Sequence, residues 1–219
     1  HPSLLSKLSR IAETSEMLWN YLLNHLELIE DLENSKLIIS HSSWKKQLSQ
    51  KLKDSVGNEE AEIDHLRQFK HKKTFLLGSG ELEGVLSYEN TRNALTMLAD
   101  IILEATFKMS LRWMEQRYGI LKNAKGKTGQ FAIIGLGKLG GNELTYFSDL
   151  DLIFIHSGEG SSSYEKKIDA QEYWIKLVKR LISYLSTITR TGFAYKLDAR
   201  LRPSGNAGVL VTPLDIYIK

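Results

Sequence analysis

The sequence predicts an α+β protein: a helical lead-in over residues 1–80, then a core built on a small mixed sheet over residues 81–219. Three observations carry that expectation. Only three prolines occur in 219 residues, Pro2, Pro203 and Pro213, so nearly the whole chain is free to be helical. Through the first half, apolar residues recur at helical spacing. From Phe131 onwards the pattern changes to short apolar runs between glycine-rich turns, with one long amphipathic stretch among them.

The helices come first. Leu4, Leu8 and Ile11 form one stripe, and Leu18, Leu22, Leu26 and Ile29 a second. Thr14 or Ser15 caps the second helix, with Glu16 and Glu27 on its solvated side. Residues 44–52 read as a short helix, broken at Val56-Gly57-Asn58, and residues 59–76 as another. On the latter, Arg67, Lys70 and Lys73 lie three apart. They read either as a solvated basic face or as a face reaching towards a bound triphosphate. Gly78, Gly80 and Gly84 punctuate the boundary that follows. A long helix spans 87–118, with Leu95, Leu98, Ile102, Ala105 and Met109 as its buried stripe. Met97 and Trp113 read as core. Residues 123–130 form a loop.

A strand enters the glycine turn after Phe131, and Leu152–Ile155 is so apolar that a strand buried on both faces is expected. Residues 157–165 are a loop. Residues 165–188 predict a second long helix, with Trp174, Val178, Leu181, Leu185 and Ile188 on its stripe and Gly192 beyond its end. Residues 193–202 alternate as a strand, placing Lys196, Asp198, Arg200 and Arg202 on one face. Pro203 and Gly205 turn the chain, and Val209, Leu210 and Val211 form a last short strand.

Composition narrows the function. The chain is 42% hydrophobic and 25% charged, ordinary for a soluble globular protein. A net charge of +3, spread along the chain, gives no reason to expect nucleic acid. The absence of cysteine excludes disulfides and thiolate-held zinc and fits a reducing cytoplasm. No apolar run has the roughly 18 residues of a membrane span, and HPSLLSKLSR lacks a signal-peptide core. A chain running from His1 to Lys219 is expected to be a piece of something longer.

The chemistry centres on FAIIGLGKLGGNELTYFSDLDLIFIH, residues 131–156. Gly135, Gly137 and Gly140 satisfy the G-x-G-x-x-G dinucleotide fingerprint. That fingerprint requires a full crossover helix and an acid at the end of the next strand. Residues 142–148 are too short and too polar for such a helix, and Asp149 and Asp151 arrive at the start of their strand. The better template is a nucleotidyltransferase core of the polymerase-beta-like kind: a glycine turn, an acid-x-acid strand about a dozen residues on, and a third acid on a later strand. Gly137 and Lys138 supply the turn, Asp149 and Asp151 the pair, and Asp198 the third acid. Two carboxylates on one strand face are costly unless a cation joins them, and Mg²⁺ with phosphate is the common solution. Arg200 and Arg202 are candidates for a phosphate clamp. The plainer readings are a structural ion pair of Asp198 with Arg200 or Arg202, a surface role for Lys138, Ser148 as a cap of the aspartate turn, and His156 as a satisfied polar strand end.

GLGKLGGNELTYFSDLDLIF, with YKLDARLRPSGNAGVLVTP at 195–213 and LRQFKHKK at 66–73, resembles the bacterial glutamine synthetase adenylyltransferase/adenylyl-removing family across essentially the whole chain. LDARLRPSGNAG and LSTITRTG resemble its second, adenylylating unit. Thr145-Tyr146-Phe147 departs from the small residues usual before the Ser-Asp pair. The resemblance implies ATP as substrate and Asp149, Asp151 and Asp198 as ligands of Mg²⁺, with Mn²⁺ possible. It places Gly137, Lys138 and Ser148 along the phosphates. It implies a tyrosine of glutamine synthetase as acceptor, a PII signalling protein as regulatory partner, and a cytoplasmic role in nitrogen metabolism. The adenylyl-removing unit and a non-catalytic docking fragment are the alternatives.

Overall fold

The computed structural model describes residues 2–34, 38–123, 125–163, 167–190, 192–202, 205 and 208–218. The chain divides into two compact units, one of residues 1–102 with 142–146, the other of residues 103–141 with 147–219.

The first unit is helical: α1 Pro2–Thr14, α2 Glu16–Leu23, α3 Leu28–Asn34, α4 His41–Lys53 and α5 Glu59–Leu82, followed by the first half of α6 Tyr88–Tyr118. Side-chain caps set the starts. Ser15 accepts from Leu18 N, Ser40 from Ser43 N, and Asn58 from Ala61 N, each satisfying one of the amides a helix leaves unpaired. Ile11, Leu18, Leu22, Leu28, Leu32, Phe75 and Leu76 form one core cluster. Leu26 is exposed, because the chain leaves the helix after Leu23 before that stripe is complete.

Two expectations are corrected here. Helix α5 runs on through Gly78 and Gly80, and only Gly84, at φ +72, breaks from helical geometry. A Cβ on Gly78 would stand 3.0 Å from Leu18 Cδ2, so this glycine admits a neighbouring leucine rather than bending the chain. The basic face of α5 is not solvated. Arg67 and Lys73 are buried and Lys70 half-buried. Lys73 Nζ donates to Gln47 Oε1 at 2.9 Å and lies over the rings of Trp44 and Phe69. Burial pushes the Lys70 and Lys73 ammonium groups down to about 8.

Residues 142–146 join this unit through polar contacts. Leu144 N donates to Thr96 Oγ1, Asn142 Nδ2 to Asn93 Oδ1, and Tyr146 Oη to Glu81 Oε2, while Arg92 pairs with Glu143. In its first half, α6 buries Leu95, Leu98, Ala99 and Ile102. No helix among the described residues is long and apolar enough to cross a membrane.

The second unit holds the sheet. Its elements, after the second half of α6, are β1 Gln130–Gly135, the single turn α7 Gly137–Gly140, β2 Leu150–Ser157, α8 Ala170–Ser186, β3 Leu197–Asp198, β4 Thr212–Pro213 and α9 Leu214–Tyr217. β1 pairs antiparallel with β2 over six residues, Gln130 opposite Ser157 through Gly135 opposite Leu152. β3 and β4 are both parallel to β2, β3 at its start and β4 near its end. Leu152 to Ile155 are all buried, as the unbroken apolar run requires. Phe131 stacks between Phe107 and Trp174, with ring centroids 5.5 and 4.8 Å away.

Helix α8 begins at its Asp169 cap and ends at Ser186, shorter than expected at both ends. Trp174, Val178, Leu181 and Leu185 are buried as predicted, but Ile188 lies past the helix and is exposed. The expected strand over 193–202 shrinks to Leu197–Asp198. Ala194 N and Tyr195 N both donate to Leu185 O, and both residues are buried, so the alternation does not hold. Beyond Asp198 the chain turns, which takes Arg200 and Arg202 out of strand register. The last strand is Thr212–Pro213 rather than 209–211. Pro203, assigned to the preceding turn, lies outside the described residues.

Candidate active site

The antiparallel pairing of β1 with β2 removes the dinucleotide reading of the glycine motif. A dinucleotide fold needs parallel strands joined by a crossover helix. Here the glycines have local duties. Gly137 adopts φ +51, in the left-handed region, and a Cβ there would fall 2.2 Å from Asp151 Oδ2. A Cβ on Gly140 would meet the Gly135 carbonyl at 2.6 Å. Leu136 N donates to Asp151 O at 2.9 Å, tying the turn to β2. The turn is thereby folded down onto the carboxylate of Asp151, and only glycine leaves room for it.

The three predicted acids reach one place by different routes. Asp149 and Asp151 flank Leu150 at the entrance to β2, which is itself fully buried and fixes the pair. Asp198 arrives through pairing: Leu150 is in register with Leu197, and Asp151 with Asp198. Leu150 N donates to Lys196 O at 3.0 Å, holding the same register. The Asp151 carboxyl is raised above its ordinary value, first by desolvation, then by the charges of Asp149 and Asp198, while Arg200 and Lys138 oppose the shift. The site is therefore a concentration of negative charge with two cations at its edge.

Asp198 already has a partner. Its Oδ1 accepts from Arg200 N at 2.8 Å, which makes the turn that ends β3. Arg200 Nε donates to both carboxylate oxygens at 2.9 Å, and Nη2 donates to Oδ2. These bonds hold the Asp198 carboxyl down at about 2. Hydrogen bonding to Asp198 raises the Arg200 guanidinium, and the charges of Asp149 and Asp151 add to it. The ion-pair reading of Asp198 is thus what the structure shows. Arg202 turns to the main chain, with Nε donating to Gly208 O at 3.2 Å and Nη1 to Ala199 O. Lys138 is exposed on the glycine turn, and Ser148 is half-buried beside Asp149.

Among the described residues, no group of three His, Asp or Glu side chains stands arranged to hold a metal ion. The donor set nevertheless suits a hard divalent cation. It consists of carboxylate oxygens, their mutual repulsion is partly uncompensated, and a guanidinium already sits on the third carboxylate.

Phe147, within the Thr145-Tyr146-Phe147 departure and two positions before Asp149 in sequence, is 83% exposed. Gln171 carries no mark in the sequence. At the far end of β2, His156 is buried, its Nε2 2.7 Å from Gln171 Oε1, and Gln171 Nε2 donates to Val211 O. That chain fixes the Gln171 amide orientation, so His156 Nε2 is the donor and Nδ1 is left without a hydrogen-bond partner. His156 lines a cavity of about 710 Å³ with Glu159, Leu214 and Ile218.

The family model for glutamate-ammonia ligase adenylyltransferase matches residues 5–219. Curated relatives described as bifunctional glutamine synthetase adenylyltransferase/adenylyl-removing enzymes align throughout. The protein from Alteromonas mediterranea is 34% identical over 230 aligned residues, covering all of this chain and 23% of its own length. That from Neisseria meningitidis is 35% identical over 222 residues, again covering all of this chain and 23% of its own length. That from Nitrosococcus oceani is 34% identical over 227 residues, covering 99% of this chain and 23% of its own length. This chain spans about a quarter of the length of the curated relatives it matches. By the extent of the match and the level of identity, the chain belongs to the glutamate-ammonia ligase adenylyltransferase family.

Proposed function

We propose that this chain transfers AMP from ATP to a tyrosine hydroxyl of glutamine synthetase, through a nucleotidyltransferase site made by Asp149, Asp151 and Asp198. The observation that carries the reading is the register that sets Asp198 beside Asp151 across two parallel strands, 47 positions away in sequence. Family membership supports the substrate pair. Asp149 and Asp151 would hold Mg²⁺ or Mn²⁺, with Asp198 as third ligand, and the bound ion would neutralise charge on the α-phosphate and the leaving pyrophosphate.

The chain's own residues do the rest. The turn at Gly137 brings main-chain amides close to Asp151, where a triphosphate would lie, and exposed Lys138 stands at its edge with Ser148. Arg200 supplies a guanidinium for phosphate oxygens once it leaves Asp198, and Arg202 braces the loop that carries it. Once freed of Arg200, Asp198 would orient the attacking tyrosine hydroxyl and help take its proton. Catalysis is then mostly positioning and charge stabilisation. We place this chemistry in the cytoplasm, under control of a PII signalling protein, and in the adenylylating direction.

The decisive test is Asp149→Asn with Asp151→Asn, assayed for AMP transfer from labelled ATP to glutamine synthetase. Both side chains keep their size, so the fold is expected to persist while transfer is lost. Normal transfer by this variant overturns the assignment. Incubating adenylylated glutamine synthetase with phosphate checks the direction: release of ADP by this chain assigns it to removal instead.

A further inference from the structure

We propose that Arg200 is a built-in counter-cation that competes with the divalent metal for Asp198, so that the third acid joins the metal site only after the guanidinium has been drawn away. This rests on the metal-site reading above. Three features point to it.

The first is the completeness of the pairing. Arg200 spends its backbone amide, Nε and Nη2 on one carboxylate, so both Asp198 oxygens are engaged. A carboxylate has about four lone-pair sites, and a guanidinium bound to both oxygens takes the edge between them, so a hard cation approaching that edge must compete with it. The second is the surroundings. Arg200 is bonded to Asp198, and the charges of Asp149 and Asp151 also favour a cation at that position. The third is its exposure. The Arg200 side chain is 71% exposed, whereas Asp198 is only 14% exposed. The cation can therefore swing out into water without breaking a packed core, while the acid stays in place.

The consequence is coupled loading. Metal alone must displace Arg200 at a cost. A triphosphate offers Arg200 a second anion and releases Asp198, so metal and nucleotide should each tighten the binding of the other. The site would then assemble fully only with its substrate present.

The test is a titration of the chain with Mn²⁺ alone, following free Mn²⁺ by electron paramagnetic resonance, for wild type, Arg200→Ala, Asp198→Asn and the double variant. Arg200→Ala is expected to tighten Mn²⁺ binding about two- to five-fold, the range of an exposed ion pair. The gain must vanish in the Asp198→Asn background, because the competition runs through that carboxylate. An equal gain in both backgrounds shows a general field effect of removing one positive charge and overturns the proposal. No gain, or weaker binding, overturns it as well. Failure of the underlying reading looks different. If wild type binds no Mn²⁺, or if Asp149→Asn with Asp151→Asn leaves binding unchanged, the metal site itself is refuted and the proposal falls with it. Thermal unfolding of each variant, monitored by circular dichroism, confirms that the chains compared are folded.

Discussion

Replacing Gly137 with alanine asks whether the glycine turn and the acid pair form one mechanical unit. Gly137 sits at φ +51, and an added Cβ falls 2.2 Å from Asp151 Oδ2 and 3.1 Å from its Cγ. Two costs follow. Holding an alanine in the left-handed region costs about 1 kcal/mol. Accommodating the methyl against the Asp151 carboxylate, whose main chain the Leu136 N–Asp151 O hydrogen bond ties to the turn, costs roughly 1–3 kcal/mol more, the usual range for overpacking. The sum is about 2–4 kcal/mol, or a melting temperature roughly 4–16 °C lower for a chain of this size. Gly126 provides the control within the same compact unit. Its φ is +75, but a Cβ there meets nothing within 4 Å, so Gly126→Ala carries only the backbone cost. Urea unfolding followed by far-UV circular dichroism measures both. Because Asp151 must move to admit the methyl, Gly137→Ala should also weaken Mn²⁺ binding, and Gly126→Ala should not. If Gly137→Ala costs no more than Gly126→Ala and binds Mn²⁺ normally, the packing of the turn on Asp151 is wrong.

Two further predictions concern pH. The Asp151 carboxyl is raised by desolvation and by its acidic neighbours, so it binds its proton more tightly folded than unfolded. Such a group stabilises the fold at low pH and withdraws that contribution as pH rises through the folded value. Asp151→Asn should therefore melt higher than wild type at neutral pH, with the difference closing below the carboxylate range; a lower melting temperature at pH 7 contradicts this. Lys73 behaves in the opposite sense, its folded value of about 8 lying below the ordinary lysine range. Between about pH 8 and 10 the unfolded chain holds the extra proton, so wild-type stability should rise with pH. Lys73→Met should reduce that slope in urea midpoints measured across the interval, leaving the share that Lys70 supplies, and an unchanged slope refutes the burial of Lys73 as a source of it.

Much of the architecture was legible because burial leaves a periodic trace. The stripes on α6 and α8 and the apolar run in β2 each reported a surface removed from water. The length of the link between Gly140 and Asp149 excluded a crossover helix, and the antiparallel β1–β2 pair agrees. What escaped the pattern depended on partners distant in sequence. Gly78 looks like a helix breaker until Leu18 is seen against it. The basic residues of α5 look solvated until Trp44 and Gln47 of α4 are placed beside Lys73. Residues 193–202 alternate like a strand, yet the Asp198 side chain accepts the amide of Arg200 and turns the chain after two residues.

The same contrast separates the members of the candidate site. Asp149 and Asp151 stand at the head of a strand held by a six-residue antiparallel ladder and buried on both faces, so local sequence could identify them. Asp198 is held by a two-residue ladder and one hydrogen bond from Leu150 to Lys196 O, and its carboxylate is committed to its own neighbour, Arg200. Its presence could be counted from the sequence, but its state could not. Of the three acids, it is the one whose carboxylate is bonded to a guanidinium. A site assembled this way has two acids fixed in advance and a third whose availability depends on where one guanidinium sits. On the proposed reading, occupancy of Asp198, rather than the geometry of the pair, would set how readily the site takes up metal.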